Sequence, residues 1–424
     1  MGIYGSIRKM IKTIVYKWPI IKWAIPMLLS HESRLFEHSL YIDLLQKQVK
    51  SLMDEIADIK GERNTSDSFN DFLHMPEPPT YYGKRILWET AVQLAAKDFL
   101  REGDCVIDVG ANIGGVAIAF SRMVGPTGLV YAIEANSLIL PRLKRDLEIN
   151  GATNVKIIPK AVWSTSGELL PFYCEISYYS SGSGSIRKPT KYIEILVETI
   201  SLDDFFKQQK IIPRLIKMDI EGAEIWALKG AAQTIENYRP IFILEYSAEC
   251  SENEDPLEYL KLFNYTFWDV NLYTQVDRDF YCTNFAKPPV VNVLCLPREE
   301  WEKSSYRFLN LHLLSAMELN VSVMPHSSYA LVFEIDSSRY VAVFDFEGDG
   351  KLNAALSVNS KDETLAYYEG NLQILKSPAS SHVVFEINDK NEVTFSLINK
   401  SNETILFRGF SLYKVILAYE GVKR

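Results

Sequence analysis

Four carboxylates and a short run of glycines are the residues of this chain whose types and spacing suit chemistry. Asp108 stands in Cys105-Val-Ile-Asp-Val-Gly-Ala-Asn-Ile-Gly-Gly115, with Gly110, Asn112 and Gly114 in the turn that follows it. Glu134 closes a second apolar run, Leu129 to Ile133. Asp219 and Glu221 lie in Ile216-Lys-Met-Asp-Ile-Glu-Gly-Ala-Glu224. A carboxylate can take a proton from a hydroxyl as a bond forms. It can also accept hydrogen bonds from ribose hydroxyls, or cap the first turn of a helix. Which of these applies depends on the elements that carry it.

Those elements read as an α/β fold. A helix, Glu89 to Arg101, leads into a buried strand that ends at the glycine turn, and an apolar helix begins after Gly114. A strand ending in Glu134 and a helix from Leu138 to Asn150 follow. Next come a strand at Val155 to Pro159, a Gly/Ser-rich stretch around 180–185 and an alternating strand at Ile193 to Thr199. A strand at Leu215 to Met218 reaches Asp219, one helix is expected from Ala223 to Asn237, and a strand at Ile241 to Leu244 ends in Glu245. Strands alternating with helices predict a parallel sheet covered on both faces. Ligands bind at the carboxyl ends of such strands, so Asp108, Gly110, Glu134, Asp219 and Glu221 are expected to face one cleft. Glycines in the turn let a ligand approach the backbone.

The turn narrows the ligand. A dinucleotide fingerprint needs G-x-G-x-x-G, whose second glycine admits a pyrophosphate. Asn112 occupies that place. S-adenosylmethionine has no phosphate and does not need the glycine. Helix capping accounts for one acid of the later motif, Glu224 or Glu221, but does not require Lys217, Asp219, Glu221 and Gly222 together.

Val106-Ile-Asp-Val-Gly-Ala-Asn-Ile-Gly114, followed by Ile216-Lys-Met-Asp-Ile-Glu-Gly-Ala-Glu224, resembles the FkbM family of S-adenosylmethionine-dependent methyltransferases. The resemblance covers about 80–300 and takes in Glu89, Gly103, Ala161-Val162 and Phe242-Ile-Leu-Glu245. It implies a class I methyltransferase (Rossmann-like) domain at 81–300. It also implies transfer of a methyl group to a hydroxyl oxygen, often of a sugar or a glycosylated product. On that reading Asp219 is the first candidate for the base and Glu221 the second, with orientation of the cofactor as their alternative role. Asp108, Gly110, Asn112, Gly114 and Glu134 would bind the cofactor, Asp108 bracing the turn and approaching the methionine amine. Glu245 could line the pocket.

The flanks lie outside the resemblance. Residues 1–30 hold Arg8, Lys9, Lys12, Lys17 and Lys22 and no acid. The lysines and prolines that interrupt this apolar stretch exclude a membrane span. Tyr16, Trp18 and Trp23 suit a membrane surface, so 1–29 is expected to make peripheral membrane contact or to pack on protein. Residues 31–63 form a heptad helix, with Ile42, Val49 and Ile56 at one position and Leu45, Leu52 and Ile59 at the other. This predicts a coiled coil and a homo-oligomer. Residues 64–80 are a polar, Pro-rich linker. In 301–424, short apolar runs punctuated by Gly, Asn and Asp predict an antiparallel β-sandwich. Its tyrosines, Tyr306, Tyr329, Tyr340, Tyr367 and Tyr368, are candidates for stacking on a carbohydrate or for the core.

Bulk properties bound the rest. The 424 residues carry a net charge of −9, which argues against nucleic acid as a partner. Five scattered cysteines with no C-x-x-C pair argue against a zinc site or a disulfide framework and fit a reducing, cytoplasmic setting, which membrane contact through 1–29 would place at the inner face of the membrane. Three classes of function stand at this point. They are an O-methyltransferase acting on a glycan, an NAD-type oxidoreductase on a similar sheet, and a non-catalytic glycan-binding scaffold.

Overall fold

The computed structural model describes residues 81–82, 85–86, 89–175, 184–185, 192–248, 255–284, 289–324, 328–347, 351–360, 364–373, 379–388, 390–399 and 405–416. All fall in the second of two units, Phe72–Arg424. The basic segment, the heptad helix and the linker lie outside the described residues.

After a hairpin, β1 (Tyr81–Tyr82) and β2 (Arg85–Ile86), a helix (α1, Thr90–Phe99) leads to the first strand of the central sheet, β3 (Cys105–Val109). The turn at Gly110 opens α2 (Gly115–Val124). Then come β4 (Leu129–Ile133), α3 (Leu140–Ile149) and β5 (Val155–Ile158). Chain order carries β3, β4 and β5 outwards in one direction, each parallel to the last. The chain then returns to the other side of β3, where β10 (Leu215–Met218) pairs parallel with it and β11 (Ile241–Ser247) pairs parallel with β10. The strand order reverses between β3 and β10, and in sheets of this kind the carboxyl ends of such a pair flank the ligand crevice. Gly110 and Asp219 stand at its two lips.

The sheet has eight strands and is mixed. The reversed strand β14 (Val290–Pro297) runs antiparallel to β11 on one side and to β12 (Tyr265–Asp269) on the other, and β13 (Thr274–Gln275) closes the edge. The run Ile193 to Thr199 is a strand but not of this sheet. As β9 (Tyr192–Ile200) it pairs with β6 (Ala161–Val162), and with β7 (Leu169–Glu175), which also pairs with β8 (Gly184–Ser185). Its exposed alternate residues, such as Leu196, already marked a strand with one wet face.

The helix expected from Ala223 to Asn237 is two helices, α5 (Glu224–Lys229) and α6 (Ala232–Tyr238), which follow α4 (Leu202–Gln209). The break falls at Gly230, where a Cβ would lie 2.2 Å from the carbonyl oxygen of Trp163. A tight backbone crossing thus interrupts an otherwise continuous helical pattern. Helices cover both faces of the sheet. Val92, Ala96 and Phe99 of α1 pack with Phe120 of α2 and Leu143 of α3 on one face. On the other, Phe205, Leu228, Ile235 and Leu257 pack against Ile107, Ile216 and Phe242.

The C-terminal strands make two four-stranded antiparallel sheets. One has the order β15 (Asn310–Val323), β22 (Ile405–Ile416), β17 (Ser338–Glu347), β20 (Ala379–Ile387). The other is β16 (Ser328–Ile335), β21 (Asn391–Asn399), β18 (Lys351–Ser360), β19 (Thr364–Gln373). Phe344, Phe385, Phe395, Phe407 and Phe410 fill the space between them. Successive side chains of a strand point to opposite faces. On β17, Tyr340, Ala342 and Phe344 point into that core, while Val341 joins Val384 and Val415 in the core around α1. The first sheet is therefore buried on both faces, and the strands share a core with the α/β domain. Tyr340 and Tyr306 are 1% and 3% exposed, so they are core residues and not sugar-stacking ones.

Candidate active site

β3 and β10 are in register with Asp108 opposite Lys217 and Val109 opposite Met218. The next residues, Gly110 and Asp219, therefore meet at the strand ends. A Cβ on Gly110 would lie 1.8 Å from the Asp219 carbonyl oxygen, and Gly110 has φ +77°. The glycine is dictated by contact between the two motif turns, not by approach of a ligand. At Gly114, with φ +91°, a Cβ would likewise lie 2.7 Å from Leu143 Cδ1 of α3. Asn112 adopts φ 50°, a left-handed conformation that Asn tolerates better than most residues.

The N–H groups of this turn are engaged within the protein. Gly110 and Ala111 donate to the Ile133 carbonyl at 2.9 and 3.2 Å, and Gly114 donates to the Ala111 carbonyl at 2.8 Å. Asn112 N–H donates to Glu134 Oε2 at 2.8 Å, and Asn136 N–H to Glu134 Oε1 at 2.7 Å. Glu134 is buried, and burial raises its pKa while the two backbone donors hold it down. It braces the first turn and keeps spare lone pairs for hydroxyl donors.

Asp219 is the open carboxylate, with 25% of its side chain exposed and Oδ2 3.1 Å from Lys217 Nζ. Lys217 is buried in the strand and also lies 3.6 Å from Glu89 Oε2 and 3.9 Å from Asp108 Oδ1. Burial alone would lower its pKa, but Asp219, Glu89 and Asp108 outweigh it and hold the lysine well above its ordinary value. Asp108 is fully buried, and burial pushes it up to about 7. Glu245, at the end of β11, is pushed up to about 10 by burial and then by the charges of Asp219, Glu221 and Glu224. Burial and these neighbours thus favour the neutral form of Glu245.

The structure brings Asp108, Gly110, Asn112, Glu134 and Asp219 to one crevice. Glu221 stands at its rim, exposed, at φ 56°. Glu224, not Glu221, closes the motif turn: its Oε1 accepts from Ile220 and Gly222 N–H at 3.0 and 3.2 Å. Glu89 and Asn292 of β14 complete the cluster, with Asn292 Nδ2 donating to Glu89 Oε1 at 3.3 Å. Sequence reading gave neither a role. One signal was available for Lys217 and Asn292, since each is a lone polar residue inside an otherwise apolar strand and such a residue needs a buried partner.

The crevice suits a cofactor without phosphates. Most N–H groups of the turn are spent on the protein, and the charge of Lys217 is committed to three acids. A pyrophosphate would meet Asp108, Glu134 and Asp219 with little to hold it, whereas a cationic ligand meets complementary charge.

Residues 108–267 match the family profile of the methyltransferase FkbM domain. Among solved structures, methyltransferase FkbM from Methylobacillus flagellatus KT aligns at 19% identity over 46% of this chain and 43% of its own, with a TM-score of 0.30. Aeropyrum pernix fibrillarin, with natively bound S-adenosyl-L-methionine, aligns at 13% identity over 48% of this chain and 73% of its own, with a TM-score of 0.30. A Thermotoga maritima SAM-dependent O-methyltransferase aligns at 13% identity over 54% and 70%, with a TM-score of 0.29. No curated protein matches.

Proposed function

With a methyltransferase FkbM domain at its centre, for which S-adenosylmethionine is the cofactor, the chain is, we propose, an O-methyltransferase acting on a hydroxyl of a sugar or glycan. The observation that carries the reading is Asp219. It is the partly exposed carboxylate where the strand order reverses, between the buried Lys217 and Glu245.

When bound, S-adenosylmethionine supplies an activated methyl group, and the electron pair of the broken carbon–sulfur bond stays on its sulfur. The chain's own residues do the rest. Glu134, already fixed by two backbone donors, is placed to accept from ribose hydroxyls. Asp219 accepts a hydrogen bond from the acceptor hydroxyl and takes its proton as the oxygen–carbon bond forms. Lys217 and Glu245 hold the Asp219 carboxylate in place, so alignment rather than strong basicity is its main contribution. Among the described residues no group of His, Cys, Asp and Glu is arranged to hold a metal ion. The sugar acceptor follows from the family resemblance.

Asp219→Ala should lower methyl transfer from labelled S-adenosylmethionine by about 10²–10⁴-fold while leaving cofactor affinity within roughly tenfold. Loss of cofactor binding instead would reassign Asp219 to the cofactor. Transfer of label to a protein or nucleic acid, with none to any oligosaccharide in a panel, would reject the glycan acceptor.

A further inference from the structure

The seam between the α/β domain and the C-terminal sheets is not packed along its whole length. It contains a cleft of about 290 Å³. Residues of α1 and α2 form one wall, and the ends of β19 and β20 form the other. None of the groups assigned to catalysis or to the cofactor lines it. The cleft nonetheless reaches Thr90, the residue that follows Glu89, so it begins next in the chain to the cluster around Lys217.

The lining has two parts. Leu94, Met123 and Leu365 make an apolar strip. Around it stand Gln93, Lys97, Arg122, Glu386 and Asn388. The two amides offer both donors and acceptors, the two cations donors alone, and the carboxylate acceptors alone. The charged groups are anchored. Lys97 pairs with Glu386, and Arg339 Nη2 donates to Glu386 Oε1 at 3.4 Å. Arg122 Nη2 donates to Asn150 Oδ1 at 3.0 Å. Fixed polar groups set around an apolar surface are how pockets orient small polar molecules, and this volume is near the lower end of such pockets, about 300 Å³. A phosphate or another small anion would meet the Glu386 carboxylate. A hydrocarbon would take four polar side chains out of water with nothing to bond. A sugar unit matches both parts, because its hydroxyls donate and accept while its ring C–H groups present an apolar face.

We propose that this cleft is a saccharide-binding site, which holds a sugar unit of the acceptor other than the one that is methylated. The proposal rests on the glycan reading above. It gives the C-terminal strands a part in choosing the substrate, through Glu386, Asn388 and Leu365, and it places that part beside the helix that leads to the catalytic crevice.

The test sets the full chain against a panel of neutral di- to hexasaccharides. Calorimetric titration reads binding, and label from S-adenosylmethionine reads transfer. The wild type should bind a member of the panel and methylate it. Arg122→Ala and Asn388→Ala, both at exposed positions, should together weaken that binding by about tenfold or more and leave S-adenosylhomocysteine affinity unchanged. In transfer the double variant should raise KM for the oligosaccharide at unchanged kcat. A double variant that binds and methylates the oligosaccharide as the wild type does would overturn the proposal. A wild type that labels a protein or nucleic acid, and neither binds nor labels any oligosaccharide, would fail at the glycan reading itself and take the proposal with it. If the double variant proves unfolded by its melting curve, Asn388→Ala decides alone.

Discussion

Two buried cations organise this molecule, and they are treated in opposite ways. Arg339 of β17 reaches from the C-terminal sheets to α1 and grips Asp98 with two bonds, at 2.7 and 2.9 Å. Tyr306 donates to the same carboxylate at 3.1 Å, and Tyr273 and Glu386 flank the guanidinium at 3.3 and 3.4 Å. Both Asp98 oxygens are satisfied, and of the guanidinium only Nε is left without a partner. Lys217, in the sheet, faces three acids, yet leaves both Asp108 oxygens and Glu89 Oε2 without a bond. Planar, bidentate arginine suits a permanent clamp, and a point-charge ammonium suits a site that must still accept something. A carboxylate bonded at both oxygens fastens the C-terminal sheets to the α/β domain. An open one marks where a ligand finishes the structure.

The contrast breaks first, and hardest, at Arg339. Arg339→Ala leaves a partly buried Asp98 without its two guanidinium bonds and should cost about 3 kcal/mol in denaturant unfolding. A loss under about 1 kcal/mol would mean the clamp is ornamental. The opposite sign is expected at Asp108. Burial raises its pKa in the folded chain above the usual carboxylate range, so its neutral form favours folding, and that contribution is lost as pH rises through about 7. Asp108→Asn at pH 8 should therefore raise the melting midpoint of the ligand-free protein by about 2–4 °C, while weakening S-adenosylhomocysteine binding. A lower midpoint would make Asp108 a second Asp98. The smallest effect is one of pH: wild-type affinity for S-adenosylhomocysteine should rise roughly threefold to tenfold from pH 6 to 8 as Asp108 ionises. A flat profile would show that its charge does not reach the ligand.

Much of the α/β domain was legible because strands and glycine turns leave local marks. The Gly110 turn, Glu134 and the Asp219 motif were placed by type and spacing, and the structure brings them to one crevice. The reason for Gly110 was not legible, because it is a contact with the Asp219 carbonyl more than a hundred residues away. Asn292 escaped because register across β14, β11, β10 and β3 brings it to the site, and one sequence does not display pairing, while Glu89, read only as part of the family resemblance, reaches the site from the start of α1. The split at Gly230 escaped for the same reason, its cause being the backbone of Trp163. In the C-terminal strands the run Tyr340-Val-Ala-Val-Phe is apolar at nearly every position. A free-standing two-sheet module would alternate, so that run already carried the signature of a sheet buried on both faces.

The central claim is that the crevice between β3 and β10 holds S-adenosylmethionine. Calorimetric titration of the full chain with S-adenosylhomocysteine and, separately, with NAD tests it most directly. The account predicts one equivalent of S-adenosylhomocysteine bound per chain and no heat with NAD. Saturable binding of NAD with none of S-adenosylhomocysteine would contradict it.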